Sequence, residues 1–142
     1  MDAFDLFNPE TTYNATDDKN ILSLIELVRN GIAFSSFVKL VESSAFDLNE
    51  WSSFLHLSER TMQRYKKEGR TFDVPQSEKI LEITLLYRKG VEVFGSDTKF
   101  NAWLDTENLA LGRIRPKELL DNSFGIGLIR DELTRIEHGV LS

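Results

Sequence analysis

Residues 51–67 constrain the fold of this chain most strongly, because they show the pattern of two short helices joined by a tight turn. Ser58 is a suitable N-cap for the second helix, since its hydroxyl can accept a hydrogen bond from an otherwise unpaired backbone N–H. At about 100° per residue, Met62 and Tyr65 share one face of that helix. The opposite face is polar and mostly cationic, and we call Arg60, Gln63, Arg64 and Lys67 the cationic face. The pattern predicts a helix-turn-helix whose second helix offers this face to a DNA groove.

The turn of the pattern departs from the common sequence at His56, where glycine is usual. Histidine tolerates positive φ better than most residues, so the pattern is weakened but retained. Ser52 is small, as expected where two helices approach closely. A solvated amphipathic helix would show the same cations, so both interpretations stay open on these residues alone. If the helix binds DNA, we expect the contacts to come from Ser58, Arg60, Thr61, Gln63, Arg64 and Lys67.

The chain of 142 residues is 41% hydrophobic, enough to bury a core as one domain or as two small ones. It has no cysteine, and its two histidines, His56 and His138, are far apart in sequence, so we expect no metal site. There is no glycine-rich phosphate loop, no nucleophile elbow and no paired-carboxylate signature. We therefore expect no catalytic residues, no cofactor and no small-molecule substrate, which makes an enzyme the disfavoured class.

The amino-terminal residues are acidic where a signal peptide would be basic, and no apolar run approaches the roughly 18 residues that span a bilayer. We expect a soluble, cytoplasmic protein without membrane contact. The net charge is −6, but charge is uneven along the chain, and residues 58–70 carry five basic residues against Glu59 and Glu68. Local charge sets phosphate contact, so a basic patch on an acidic protein can still bind DNA. Because the rest of the chain is acidic, its affinity for DNA would depend on dimerisation or on a partner.

Helical periodicity recurs along the whole chain and no strand-like alternation of useful length is present, which predicts an all-α protein. We expect an N-terminal helix-turn-helix bundle joined by a long central helix to a small helical domain. The predicted ranges are a flexible arm over 1–16, a DNA-binding domain over 17–88 and a second domain over 89–142. Ser35, Asp47, Ser96 and either Asp121 or Ser123 are the predicted caps of other helices. The long helix is predicted to begin near Pro75 and to end near Phe94.

The last helix is predicted to bury an apolar seam of Ile126, Ile129, Leu133, Ile136 and Val140. Gly125 and Gly127 each cost this helix about 1 kcal/mol relative to alanine. We therefore expect both glycines to permit close approach by another backbone.

The segment 100–120 resembles the toxin-binding region of the Xre/MbcA/ParS-type antitoxins. Those proteins show the pattern W-L-x-x-x-N-x-A-L-G-x-x-x-P-x-x-L-L, which here runs from Trp103 to Leu120. Their following helix ends near R-I-E-H-G-V, which here is 135–140. The upstream S-E-R-T-x-x-R, from Ser58 to Arg64, is similar to the Xre-type DNA-binding half. The resemblance covers nearly everything after residue 20.

The resemblance implies an antitoxin of a bacterial type II toxin–antitoxin pair. Its partner would be a toxin with a RES domain, and this toxin would consume NAD. The antitoxin would neutralise this toxin and would repress its own operon by binding operator DNA through the helix-turn-helix, as a homodimer. Composition and periodicity show none of this; they indicate only a DNA-facing helix and a separate helical interaction module.

Within this implied role, we expect a docking surface followed by a C-terminal tail (137–141) that enters the toxin's active-site cleft and excludes its substrate. The expected toxin-binding residues are Leu111, Gly112, Arg113, Arg115, Glu137, His138, Gly139, Val140 and Leu141. Leu109, Leu119 and Leu120 would add apolar surface. These leucines and Trp103 can instead be domain core, an interpretation that suits Trp103 and Leu120 better than Leu111.

A second functional class stays open, namely a stand-alone helix-turn-helix regulator whose C-terminal half dimerises or senses a ligand. A downstream open reading frame encoding a RES domain would decide between the two classes.

Overall fold

The structure is a computed structural model, and it describes residues 18–139. The predicted arm over 1–16 lies outside these residues. The helices, in chain order, are α1 (Asp18–Asn30), α2 (Phe34–Ser43), α3 (Leu48–Leu55), α4 (Glu59–Glu68), α5 (Val74–Phe94), α6 (Asp97–Leu104), a 3₁₀ helix (Leu109–Leu111), a second 3₁₀ helix (Pro116–Leu119) and α7 (Ser123–Glu137). Over 18–139 there is no β-strand and only two isolated β-bridges. The all-α prediction is confirmed.

Backbone contacts divide the chain into two compact units, and the boundary falls between Leu85 and Leu86, inside α5. The first unit therefore contains α1–α4 and the start of α5, and the second contains the rest of α5, α6, both 3₁₀ helices and α7. The domain ranges of the sequence analysis, 17–88 and 89–142, remain predictions.

The core of the first unit is an aromatic cluster around Trp51, whose side chain is 1% exposed. The rings of Phe37 and Phe46 meet the indole edge to face, with centroids 5.4 and 6.0 Å away. Phe72, which follows α4 in the chain, lies against Phe37 at 4.9 Å. Aromatic pairs in this geometry stabilise a core beyond the area that they bury. The cluster thereby fixes α2 and α3 against the segment that follows α4.

A short backbone pairing holds the start of α2. Phe72 N–H donates to the Ile32 carbonyl oxygen over 2.8 Å, and Phe34 N–H donates to the Arg70 carbonyl oxygen over 2.9 Å. The buried hydroxyl of Ser77 accepts from Ile32 N–H over 2.9 Å and donates to the Phe72 carbonyl oxygen over 3.3 Å. The start of α2, the end of α4 and the start of α5 are thereby held together.

This pairing corrects one predicted cap. Ser35 was expected to cap α2, but the helix begins at Phe34 and its N-cap is Ala33, which makes no side-chain cap hydrogen bond. The reason is the backbone pairing with the segment after α4, because the Phe34 N–H already donates to the Arg70 carbonyl oxygen. Local sequence does not reveal a cap supplied by residues more than thirty positions away.

The second unit has its own aromatic cluster, in which Phe100 is 1% exposed and lies between Phe94, Tyr87 and Trp103. Phe100 packs directly on Gly90 of α5, where an added Cβ would clash with the phenyl ring. The Tyr87 hydroxyl also bonds to Asn101 Oδ1 at 2.9 Å. These contacts join α6 to the second half of α5.

The predicted seam of α7 is confirmed at Ile126, Ile129 and Leu133, which are each 0% exposed. Ile136 is only partly buried, and α7 ends at Glu137. Val140, the last predicted member of the seam, lies outside the described residues.

The start of α7 corrects two further predictions. Its N-cap is Asn122, whose Oδ1 accepts from Gly125 N–H over 2.8 Å, and not Asp121 or Ser123. Gly125 does permit a close backbone approach, because a Cβ there would clash with the Leu119 carbonyl oxygen. Gly127 does not, since nothing lies within 4 Å of a Cβ added there. The expectation was right for Gly125 and wrong for Gly127.

Candidate nucleic-acid and protein interfaces

The turn between α3 and α4 has the geometry expected of a helix-turn-helix. Asp47 and Glu50 form a reciprocal capping box at the start of α3, through bonds of 2.8 and 3.1 Å. The helix ends at His56, whose φ of 57° and ψ of 36° place it in the left-handed region. Ser52 is 4% exposed, and its carbonyl oxygen accepts from Leu57 N–H over 3.0 Å. The predicted roles of His56 in the turn and of Ser52 at the close approach are confirmed.

Helix α4 packs against α2 and α3 through its apolar face. Met62 is fully buried, and the Tyr65 ring lies 5.4 Å from that of Phe72. Ser58 caps the helix, as predicted, by accepting from Thr61 N–H over 3.0 Å. Gly69 ends it with a φ of 62°. The helix is therefore fixed at both ends and along one side, which leaves its opposite side to solvent.

That solvent side is one shallow concave surface lined by Arg60, Thr61, Gln63, Arg64, Lys67 and Glu68. It contains five of the six predicted DNA-binding residues. The sixth, Ser58, is exposed at the start of α4, where its hydroxyl donates to the Thr61 hydroxyl and accepts from Thr61 N–H.

The cations of this surface are not neutralised from within the domain. Over residues 18–139, no ion pair or side-chain hydrogen bond engages Arg60, Arg64 or Lys67. Arg70 differs, because its guanidinium pairs with Glu68 and lies 5.7 Å from the centre of the Tyr65 ring. Three cations on one face of a fixed helix can each meet a phosphate or a base edge. The surface that can contact DNA is therefore smaller than the basic segment 58–70, because Arg70 is paired with Glu68.

In the second unit, residues 108–114 form a closed loop. Asn108 N–H donates to the Ile114 carbonyl oxygen over 3.1 Å, and Arg113 N–H donates to the Asn108 carbonyl oxygen over 2.8 Å. Gly112 and Arg113 both have positive φ, 81° and 62°. A non-glycine residue rarely adopts this conformation, so the hydrogen bonds of Asn108 must hold it. The loop presents Gly112, Arg113 and Ile114 to solvent as an exposed tip closed by these hydrogen bonds.

The leucines of this segment divide differently from what the sequence suggested. Leu111 is 9% exposed and Leu120 is 2% exposed, so both side chains belong to the domain core. Leu109 is 76% exposed and carries the apolar surface of the segment. The first 3₁₀ helix causes this division, because its tight turn points neighbouring side chains in different directions. The Leu111 side chain therefore offers little surface to a partner.

Other predicted contact residues keep solvent access. Arg115 makes an exposed ion pair with Glu118 at 3.3 Å, a pairing that contributes little stability and can be exchanged for a partner's carboxylate. Glu137, His138 and Gly139 are exposed at the end of α7, where Gly139 has a φ of 68°. Val140 and Leu141 lie outside the described residues.

Comparison with known proteins assigns both units. Residues 23–84 match the model of the antitoxin Xre-like helix-turn-helix domain. Residues 89–139 match the model of the antitoxin Xre/MbcA/ParS C-terminal toxin-binding domain. The chain belongs to the Xre/MbcA/ParS antitoxin family. It is also 31% identical over 84 residues to "Antitoxin Xre" of Yersinia enterocolitica, a match that covers 58% of this chain and 57% of that protein.

The family assignment confirms the resemblance read from the sequence and the division into a DNA-binding and a toxin-binding domain. It is a family of antitoxins and not of enzymes, in agreement with the expectation drawn from the missing catalytic motifs. It also favours an antitoxin over a stand-alone regulator. Within 18–139, no helix is long and apolar enough to cross a membrane, and no three acidic or histidine side chains cluster as metal ligands.

The domain that matches the toxin-binding model carries one feature that sequence reasoning missed. Phe124 and Leu128 of α7 are 89% and 50% exposed. A signal was present in the sequence, because both residues lie off the seam of Ile126, Ile129 and Leu133 and are four positions apart. Helical periodicity did not identify them, because it predicts which residues of an amphipathic helix are buried and not which apolar residues remain exposed.

Proposed function

We propose that this antitoxin neutralises a RES-domain toxin that consumes NAD, and that it represses its own operon as a homodimer bound to operator DNA. Both activities would take place in the cytoplasm. The observation that carries the proposal is the pairing, in one chain, of a helix-turn-helix with three unpaired cations and a toxin-binding domain.

The DNA-binding half of the proposal rests on α4. Met62, on the apolar side of α4, is fully buried, so the helix cannot rotate to bury its cations in the domain. Arg60, Arg64 and Lys67 lie near one line along the helix, a spacing that suits successive phosphates or base edges of a major groove. The net charge of −6 makes loose, non-specific binding weak. A dimer that joins two such helices would supply the missing affinity and read a two-fold symmetric operator.

The toxin-binding half combines a docking surface with the C-terminal tail. The tip formed by Gly112 and Arg113 is closed by the backbone hydrogen bonds of Asn108, so it would lose little conformational entropy on docking. The tail follows the last turn of α7, where Glu137 can place a carboxylate among cations that hold the phosphates of a nucleotide. Docking would supply affinity, and the tail would exclude NAD.

The test is co-expression of this chain with the product of the neighbouring gene, which we expect to carry a RES domain, followed by affinity purification and mass measurement. We expect a stable complex, a loss of NAD consumption on titration with the antitoxin, and binding of the complex to the upstream promoter fragment. A toxin that consumes NAD equally fast with excess antitoxin would contradict the neutralising role. Absence of promoter binding would contradict self-repression alone.

A further inference from the structure

The large apolar residues of α7 form two sets with opposite environments. Ile126, Ile129 and Leu133 are 0% exposed, whereas Phe124 is 89% and Leu128 is 50% exposed. Residues four apart in a helix lie side by side, so Phe124 and Leu128 form one apolar patch. A phenylalanine exposed to this degree leaves nearly its whole ring in water, which is unfavourable unless a partner covers it.

This patch begins a ridge that runs the length of α7. At about 100° per residue, Asp131 and Arg135 lie within about 40° of the mean direction of Phe124 and Leu128 around the helix axis. Both are exposed, and Arg135 pairs with Glu132 of the same helix. The ridge is therefore apolar at the start of α7 and charged toward its end, over about 17 Å from Phe124 to Arg135. An apolar centre bordered by charged groups is the usual composition of a protein interface.

We propose that Phe124 and Leu128 are the apolar anchor of the toxin interface, with Asp131 and Arg135 as its polar border. This inference rests on the proposed function and specifies the surface through which it acts. Two observations select the toxin as occupant. The patch lies inside residues 89–139, the segment that matches a toxin-binding domain. The ridge also ends at Arg135, two residues before Glu137, the first of the C-terminal residues expected to contact the toxin.

The role of each anchor follows from its chemistry. Phe124 projects a rigid aromatic ring with few rotatable bonds, the type of side chain that dominates binding energy when it fills a partner's pocket. Leu128 is half-buried by its own domain, so it positions the edge of the patch and contributes less new buried area. The toxin would then present an apolar pocket that accepts the Phe124 ring.

The experiment measures the dissociation constant between this chain and the purified product of the neighbouring gene, the proposed toxin. We expect Phe124→Ser to weaken binding by on the order of 30-fold or more, and Leu128→Ser by about 10-fold. Phe124→Leu keeps an apolar contact and should recover part of the loss. Binding of each variant to promoter DNA and its circular dichroism spectrum report whether it is folded.

Two control variants match the anchors in exposure. Leu22→Ser removes a leucine of α1 that is 66% exposed but lies in the other unit. Arg130→Ser changes an exposed residue of α7 that points away from the ridge. Both should bind the toxin within about 3-fold of the unmodified chain.

Each outcome decides the inference. If the unmodified chain binds the toxin and both serine variants bind it equally well, the inference is wrong and the proposed function stands. If the unmodified chain does not bind the toxin, both fail together. If Phe124→Ser changes the mass of the free antitoxin without weakening toxin binding, the patch joins two copies of this chain and the inference is overturned. Should Phe124→Ser not fold, the Leu128→Ser result decides alone.

Discussion

Gly125 lies directly against the carbonyl oxygen of Leu119, so closely that a Cβ on Gly125 would clash with that oxygen. The obstacle is backbone, and it cannot move aside as the end of a flexible side chain could. The second 3₁₀ helix and α7 therefore meet main chain to main chain, and the glycine sets how close they come. Gly127, two residues further along and on nearly the opposite side of α7, has no neighbour within 4 Å of an added Cβ.

The two glycines should respond oppositely to the same substitution. Gly125→Ala should lower the free energy of unfolding by about 1–3 kcal/mol, because the Leu119 backbone must shift to admit the methyl group. Gly127→Ala should raise it by up to about 1 kcal/mol, since alanine favours the helix and meets nothing. Urea unfolding followed by circular dichroism checks both. Equal effects of the same sign would show that the close approach is not specific to Gly125.

A prediction on DNA concerns Arg64, which lines the concave surface of α4. Arg64→Ala should cost about 1–3 kcal/mol of operator affinity if the guanidinium reads a base edge. If it meets a phosphate instead, the salt dependence should become shallower by about one unit of slope. Fluorescence anisotropy with the promoter fragment at several salt concentrations separates the two cases.

Lys66 provides the matched control for that measurement, because it is exposed on α4 but lies outside the concave surface. Lys66→Ala should change affinity less than Arg64→Ala at every salt concentration. Operator binding and salt dependence that are unaltered in an Arg60→Ala/Arg64→Ala double variant would overturn the assignment of α4 as the recognition helix.

We expect the Arg60→Ala/Arg64→Ala double variant to lose DNA binding and to keep toxin neutralisation. Arg60 and Arg64 are exposed and unpaired within 18–139, so their removal should leave the fold intact. The predicted toxin contacts all belong to the second unit. Cells that express the toxin should therefore still grow when the double variant is supplied, while promoter repression is lost. A folded, well-expressed double variant that fails to rescue growth would show that the DNA and toxin surfaces are not independent.

Sequence predicted the local features of the fold well and the non-local ones poorly. The caps at Asp47, Ser58 and Ser96 were correct, because each side chain bonds to a backbone N–H within three residues of itself. Ser35 was wrong, since a backbone pairing with Arg70 decides where α2 begins. For α7 the prediction named Asp121 or Ser123, whereas the cap is Asn122, which lies between them. The Asn122 side chain accepts from the N–H of Gly125, the same residue whose Cα lies against the Leu119 backbone.

The same distinction applies to the candidate interfaces. Helical periodicity alone placed Arg60 and Arg64 on one face, because that arrangement is internal to α4. Periodicity could not show that Arg70 turns to Glu68 and Tyr65, nor that Leu111 is buried while Leu109 is exposed. Those outcomes depend on tertiary contacts and on a 3₁₀ turn that has no clear sequence signature.

The last prediction concerns the C-terminal tail. Helix α7 ends at Glu137, and His138 and Gly139 are exposed beyond it, so the described start of the tail is held only by backbone bonds to the final turn. Such a segment can project into a cleft, where residues 138–142 would occupy the space of NAD while Glu137, at the end of α7, meets cations that otherwise hold its phosphates. Docking through α7 and the 108–114 loop would remain without the tail. Deleting residues 138–142 should therefore leave the complex detectable by co-purification while NAD consumption by the toxin returns. Phe124→Ser in the full chain is the complementary variant, since it should weaken docking with the tail intact. If the truncated antitoxin inhibits as well as the full chain, occlusion by the tail is wrong, and docking alone is enough to block the toxin.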